Sequence, residues 1–413
     1  MDVYEFICSN IDRTTKVYDV DYDDGIAIPL IPLPYPFTTP CADGMFQEMY
    51  YWDTYFTHKC LLLTEREGQA INNIKNFAYL LENYGKIPNG NRMHYITRSQ
   101  PPFFGLMLED ILTRQPNILT VVQAYGWLRK EYEFWQTKRQ STSGLNRYGC
   151  EMLREEDIGD VGYFCGLTAN YEERTGIHLE DTEKSRECVI AECESGWDFS
   201  PRFNGKCTDY NPVDLNCLLY ADELLLAKWA NEIGEAKESE QYAKCAVERK
   251  QKILLLMKSE NIYYDYNFMA NSKSQVVSCA SFFPYFVGID KDVEGFKKVL
   301  AILEKTYGVV ACKSEENIYQ WAEPNSWAPL NYIAVAAAER LGLKEDAKRL
   351  VDKYLLATEC IFAQTQRLWE KYNAITGDLE VASEYGTPEM LGWSAGVYIA
   401  FYEYRKNGYK ELV

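Results

Sequence analysis

Apolar positions recur with a helical period along much of this chain. Residues 69–84 (QAINNIKNFAYLLENY) carry one apolar stripe and end at Gly85, a residue that takes the left-handed helix-stop conformation at no Cβ penalty. Residues 213–233 repeat the pattern through Leu215, Leu218, Leu219, Leu225, Leu226 and Trp229, and Asn211-Pro212 before them suits a helix start. The segments 291–305, 328–341, 344–358 and 392–405 behave alike, with Gly342 placed to turn one helix back on the next. Strand signals are few. Residues 261–268 (NIYYDYNF) alternate moderately and predict a short hairpin or an irregular loop. The pattern predicts an all-α protein.

Between these helices lie loops that mix Gly, Pro, Asn, Trp and charged residues: 34–54, 86–104, 194–212, 319–329 and 368–394. Loops longer than about 12 residues in a compact domain are often functional. They run from near one end of the chain to near the other, and no Ser/Gly linker, charge block or short repeat divides them. Helical hairpins arranged in a ring would gather these loops at one mouth and make the chain one domain.

Composition narrows the ligand. Aromatic residues make up 14% of the 413 positions, with 32 Tyr and 9 Trp, which is compatible with a sugar cleft, though composition alone favours a large helical core with Tyr at its rim. The net charge of −18 disfavours nucleic acid and anionic membranes as partners. The 13 Cys are irregularly spaced with no CxxC pair, and only His58, His94 and His178 occur, so no metal site and no cofactor are expected. Cys165, Cys217, Cys245 and Cys279 read as small buried hydrophobes. The first residues, MDVYEFICSN, lack the basic and apolar regions of a signal peptide, and no run of about 18 apolar residues occurs. Unpaired thiols without an export signal predict a cytoplasmic location.

Two acids stand in suggestive surroundings. In Glu194-Ser195-Gly196-Trp197-Asp198-Phe199-Ser200, an Asp between aromatics has its charged form desolvated, as a general acid requires; the plainer reading is a helix cap. In Trp369-Glu370-Lys371-Tyr372-Asn373, the neighbouring cation would hold Glu370 ionised as a general base; the plainer reading is a helix-end salt bridge. Three further runs are dense in groups that bind hydroxyls or stack on sugar faces: 46–55, 87–103 and 320–329. No GxSxG, P-loop, GxGxxG or HExxH competes with them.

Taken in order, these runs resemble the trehalases, inverting hydrolases of α,α-trehalose with an (α/α)6 toroid fold. The resemblance rests on Phe46, Glu48, Tyr50, Tyr51, Trp52, Asp53 and Tyr55; on Ile-Pro-Asn-Gly-Asn-Arg at 87–92 and Arg-Ser-Gln-Pro-Pro-Phe at 98–103; on residues 194–200; and on Gln-Trp-x-x-Pro-x-x-Trp-Ala-Pro at 320–329. It covers roughly residues 30 to 405 and implies Asp198 as acid and Glu370 as base, with Glu384 a further acid at the site and the runner-up for the base. It implies Phe46, Trp52, Asp53, Asn89, Arg98, Gln100, Arg154, Gly196, Gln320 and Trp327 as substrate contacts. The family arginine ahead of Phe46 is replaced by Met45, which predicts a more apolar wall. Arg154 is the nearest candidate for a second cleft arginine but lacks the family's following Pro, and Ala322 and Ser326 replace an Asp and a Gly. The expectation is a single (α/α)6 catalytic domain over 1–413, with residues 1–30 as an extension packed on it. It would be an exo-acting inverting hydrolase of trehalose or a related α-linked glucoside. A phosphorylase on the same fold, or an inactive sugar-binding relative, stays open at this point.

Overall fold

In the computed structural model, which describes residues 1–19, 26–315, 318–382 and 385–412, consecutive helices pair as hairpins around a ring, an (α/α)6 toroid. Tyr51–Leu63 packs against Glu67–Tyr84, Val213–Glu232 against Ala236–Leu256, and Ala328–Arg340 against Lys344–Thr365. The ring closes where Gly392–Lys406 lies on Tyr51–Leu63. Gly396 permits that closure, since a Cβ there would stand 1.9 Å from the Phe56 carbonyl oxygen.

Inner and outer helices differ in how they read. Ala236–Leu256 is an outer helix and buries only Ala246, Arg249 and Ile253. Tyr51–Leu63 is an inner helix on which every residue from Tyr51 to Leu62 is buried, including Asp53, His58 and Lys59. A helix buried all round has no polar face, so its period is invisible, and its first turn reads as loop in the sequence. The expected boundaries elsewhere hold closely. Glu67–Tyr84 stops at Gly85 with φ +69°, whose N–H donates to the Leu81 carbonyl at 3.0 Å. Lys344–Thr365 runs a further two turns past the expected end because Ile361 and Phe362 continue its buried face.

Among the described residues every strand is two or three residues long. Residues 261–268 do not form one hairpin. Ile262–Tyr263 pairs back onto Lys258–Ser259, while Tyr266–Asn267 joins Tyr210–Asn211 and Ser272–Lys273. Asp265 lies between the two halves, buried, and accepts from both Nε and Nη2 of Arg202 at 2.9 Å. One main core runs from Val3 to Tyr404, with two small satellites built on Ile158, Phe164 and Ile190 and on Tyr171, Val189 and Phe199. Cys217 and Cys279 are buried as expected; Cys245 is half-buried and Cys165 is exposed, because its loop packs only on a satellite.

Candidate active site

The loops meet at one mouth. The runs at 46–53 and 87–100 zip together first: the Tyr51 N–H donates to the Asn89 carbonyl and the Asn89 N–H to the Arg98 carbonyl, both at 3.0 Å. A buried ion pair, Arg92 Nε to Glu48 Oε1 at 2.5 Å, locks the same two segments. The helix beginning at Tyr51 has no side-chain cap at Tyr50; instead Gln100 Oε1 accepts the Trp52 N–H at 3.0 Å. That bond satisfies one orphan donor of the helix start and leaves the Gln100 amide NH2 for a ligand.

Tryptophans form the back wall. Trp321 and Trp327 stack at 3.8 Å with planes 4° apart, Trp197 stacks on Trp321 at 5.7 Å, Trp52 meets Trp321 tilted at 43°, and Trp393 closes the group edge-on. Gly196 meets this wall. Its φ is +77°, and a Cβ would stand 2.9 Å from Trp52 Cε2, so both conformation and space require glycine.

Asp198 sits in the turn that follows helix Glu183–Glu194, and no helix begins at it, so it is not a cap. Gln320 Nε2 donates to its carbonyl at 3.2 Å, and the Trp321 N–H donates to the Phe199 carbonyl at 3.3 Å. Burial pushes the Asp198 carboxyl above the usual range; Arg98, a hydrogen bond from Cys193 and Arg174 pull it back without winning. Arg98 itself is nearly buried, donates from Nη1 to Tyr163 Oη at 2.6 Å, and lies 5.0 Å over the Tyr95 ring. Among the described residues its Nε has no partner, a donor left for a ligand.

Glu370 comes from the opposite side of the sequence. The strand Lys371–Asn373 pairs antiparallel with Asn325–Trp327 and brings it to the tryptophan wall. Both of its carboxylate oxygens are held: Lys371 Nζ lies 2.5 Å from Oε2 and Tyr385 Oη donates to Oε1 at 2.8 Å. Lys371 is fully buried, which lowers its pKa, while Glu370 opposes that shift. Its ammonium also donates to Gln320 Oε1 at 3.2 Å. One Gln side chain therefore braces the backbone at Asp198 and the cation on Glu370. Asp53 is a third buried carboxyl here, pushed well above the usual range by burial, then by the charges of Glu370 and Asp198.

These groups enclose a cavity of about 200 Å³. Phe46, Trp52, Asp53, Asn89, Arg98, Gln100, Gly196, Asp198, Gln320, Trp327 and Glu370 all line it.

Residues 5–405 match the trehalase family. The periplasmic trehalase of Xanthomonas oryzae is 33% identical over 403 residues, covering 89% of this chain and 68% of its own. That of Escherichia coli is 31% identical over 401 residues with the same coverage. The chain belongs to the trehalase family. It is a glycoside hydrolase acting on a small sugar. Among solved structures, the neutral trehalase of Saccharomyces cerevisiae superposes with a TM-score of 0.76 at 24% identity, covering 98% of this chain and 80% of that one. A glucose-bound mannosylglycerate hydrolase of Thermus thermophilus gives 0.64 at 15%, covering 98% and 100%. At those identities the two structures speak for the toroid alone.

Three expectations change, those for Arg154, Met45 and the compartment. Arg154 does not reach the cavity: its side chain is 77% exposed and bound through Nε and Nη2 to Asp157, three residues on, which keeps it on the surface of a short helix. Met45 is 42% exposed and lines a neighbouring cavity of about 420 Å³, so Phe46 rather than Met45 supplies the apolar wall. Glu384 lies outside the described residues. The cytoplasmic expectation is overturned by the relatives, which are named periplasmic trehalases. Unpaired thiols do not report the compartment here: Cys41, Cys60 and Cys207 are buried, and burial pushes each thiol up and away from the reactive thiolate.

The cavity also has members that sequence reasoning did not pick: Tyr50, Tyr95, Trp321, Tyr385, Met390 and Trp393. All six stood inside loops already singled out; which side chains turned inward was the missing fact. Ala322 is buried outside the cavity lining, and Ser326 Oγ accepts from Asn331 Nδ2 at 2.8 Å, so neither replacement touches the site.

Proposed function

We propose that this protein hydrolyses α,α-trehalose, or a closely related α-linked glucoside, with inversion at the anomeric carbon, using Asp198 as acid and Glu370 as base. The observation that carries this reading is the contrast between two carboxyls at one cavity. Asp198 is driven by burial to keep its proton, whereas Glu370 is tied to a buried ammonium and a phenol. A buried carboxyl that keeps its proton, sharing one cavity with a carboxyl bound by a cation and a phenol, supports an acid and base pair. Asp198 delivers its proton to the glycosidic oxygen as the C1–O bond breaks, and Glu370 accepts a proton from the water that attacks C1 from the other face. Arg98 and Gln100 supply donors to sugar hydroxyls, and the tryptophan wall takes a sugar face. The small cavity supports exo action on one terminal glucosyl unit. The main core, which includes Val3, Ile7 and Ile11, supports one catalytic domain with the N-terminal residues packed on it.

The test is the anomeric form of the first products, read by proton NMR before mutarotation. Inversion of trehalose yields α- and β-glucose in equal amounts; α-glucose alone sinks the mechanism. Turnover that requires phosphate would reassign the protein as a phosphorylase. A panel of trehalose, kojibiose, nigerose, maltose, isomaltose and glucosylglycerol tests the substrate, and no preference for trehalose removes that name.

A further inference from the structure

Asp198 stands on a turn, and a turn needs anchors if its carboxyl is to meet a glycosidic oxygen. Two of its carbonyls are taken by the 320–321 segment, at Asp198 and Phe199. The anchor on its N–H side comes from a residue that the mechanism does not use. Glu192, in the last turn of helix Glu183–Glu194, is fully buried and directs Oε1 to the Ser200 N–H at 2.8 Å and to Ser200 Oγ at 3.4 Å. Tyr171 Oη donates to its Oε2 at 3.3 Å. Among the described residues no ammonium or guanidinium is bonded to it. Arg202, a cation acting on it, is committed to Asp214 and Asp265.

We propose that Glu192 is a positioning residue for catalysis, a buried carboxyl that clamps the acid-bearing turn by accepting the Ser200 N–H. The proposal rests on the reading of Asp198 as the acid. The groups facing Glu192 are Tyr171 from the preceding helix, Cys193 from its own, Asp198 and Arg202 from the turn and beyond it, Cys207 from the short turn that follows, and Cys312 from the segment after strand Gly308–Val309. Among them burial dominates and lifts the Glu192 carboxyl to about 8, with Asp198 adding to the rise and the Ser200 N–H, Tyr171 and Arg202 opposing it. At neutral pH the clamp is therefore uncharged. It adds no negative charge to a site that already holds Asp53, Asp198 and Glu370.

A clamp on the acid has a signature that general structural support lacks. Trehalose needs its leaving oxygen protonated. α-Glucosyl fluoride does not: the C1–F bond breaks to release fluoride, water forms the new C1–O bond, and only the base takes a proton. In Glu192→Leu, which strands the Ser200 N–H, kcat on trehalose is expected to fall about ten- to hundredfold, since misplacement by roughly 1 Å costs on the order of a hundredfold. KM stays within about threefold, and so does kcat on the fluoride. Glu192→Gln keeps an Oε1 acceptor without the acidic proton and is expected to restore trehalose turnover to within about threefold of the parent. Equal losses on both substrates, full trehalose turnover in Glu192→Leu, or a Gln variant no better than the Leu variant would each overturn the clamp. If Glu192→Leu does not fold, Glu192→Asp takes its place, since the shorter side chain withdraws the acceptor; the same split is required of it. Asp198→Ala in the same assay tests the underlying reading separately. It should show a deeper split of the same kind, and a loss on the fluoride as large as on trehalose removes Asp198 as the acid whatever Glu192 does.

Discussion

Gly196→Ala probes the contact between the acid-bearing turn and the tryptophan wall. Gly196 has φ +77°, and the new Cβ would stand 2.9 Å from Trp52 Cε2 and 3.0 Å from its Nε1. An alanine held in the left-handed region costs roughly 1–2 kcal/mol. The overlap adds an overpacking cost of about 1–3 kcal/mol, because Trp52 has nowhere to retreat: its ring lies 5.7 Å from Trp321 and 5.8 Å from both Trp393 and Phe56. The sum is about 3 kcal/mol. A chain of 413 residues unfolds with an entropy of roughly 0.9 kcal/mol/K, so Tm falls by about 3 °C. Asp198 is only two residues on, so the same strain moves the acid, and kcat is expected to drop about ten- to hundredfold. Gly85→Ala is the control, with φ +69° but nothing within 4 Å of its Cβ and no part in the cavity lining. It carries the conformational cost alone, about 1–2 °C in Tm, with kcat unchanged. Thermal melts and initial rates of the two variants decide the matter. If Gly196→Ala melts with Gly85→Ala and keeps the parent kcat, Trp52 does not constrain the turn and the reasoning fails.

Asp198→Asn should lower kcat on trehalose by about 10²–10⁴, measured as glucose release; a loss under about threefold removes it from the mechanism. Burial raises the Asp198 carboxyl and Arg98 lowers it, so the acid stays protonated above the usual carboxylate range and the basic limb of kcat/KM lies there. Arg98→Met should move that limb to higher pH while reducing the rate, and a shift to lower pH would contradict the assignment. Arg154→Ala should leave kcat/KM within about twofold, as expected of an exposed group paired to Asp157; a loss of tenfold or more would place Arg154 in the bound complex. Glu131 is buried with its carboxyl raised to about 8, by burial first and against a hydrogen bond from Tyr51. The unfolded chain gives up that proton near 4.5 while the folded chain keeps it, so this group's contribution to stability falls as pH rises from about 4.5 to about 8. In melts across that range, Glu131→Gln should gain on the parent with rising pH, and a constant difference between the two would refute the buried proton.

Amphipathic helices are legible in the sequence because their periodicity survives wherever one face stays wet. Glu67–Tyr84 and Ala236–Leu256 are such outer helices, though only the first is evident from its pattern. Tyr51–Leu63 is not legible as a helix, since every residue from Tyr51 to Leu62 is buried and no alternation survives. The site shows the same division. Ordered runs of residues identified the family and with it eleven cavity residues, among them both acids. Read singly, Asp198 and Glu370 are as well explained by a cap or a salt bridge, because a residue's chemistry depends on what desolvates it, and that comes from elements distant in sequence.

The sequence by itself determined the fold class and the family and singled out Asp198 and Glu370 as candidates, because these follow from local periodicity and from residue types in a fixed order and spacing. Only the tertiary structure decided which side chains turn inward. It sent Arg154 and Met45 away from the cavity, brought Tyr385 and Lys371 onto the two oxygens of Glu370, and placed Gln320 between the two acid-bearing segments. It also set Glu192 against the turn that carries Asp198. The physical reason is burial: even where the hydrogen bond is local, whether a side chain faces the cavity or solvent is fixed only when segments more than a hundred residues apart, such as those of Asp198 and Gln320, close on one another.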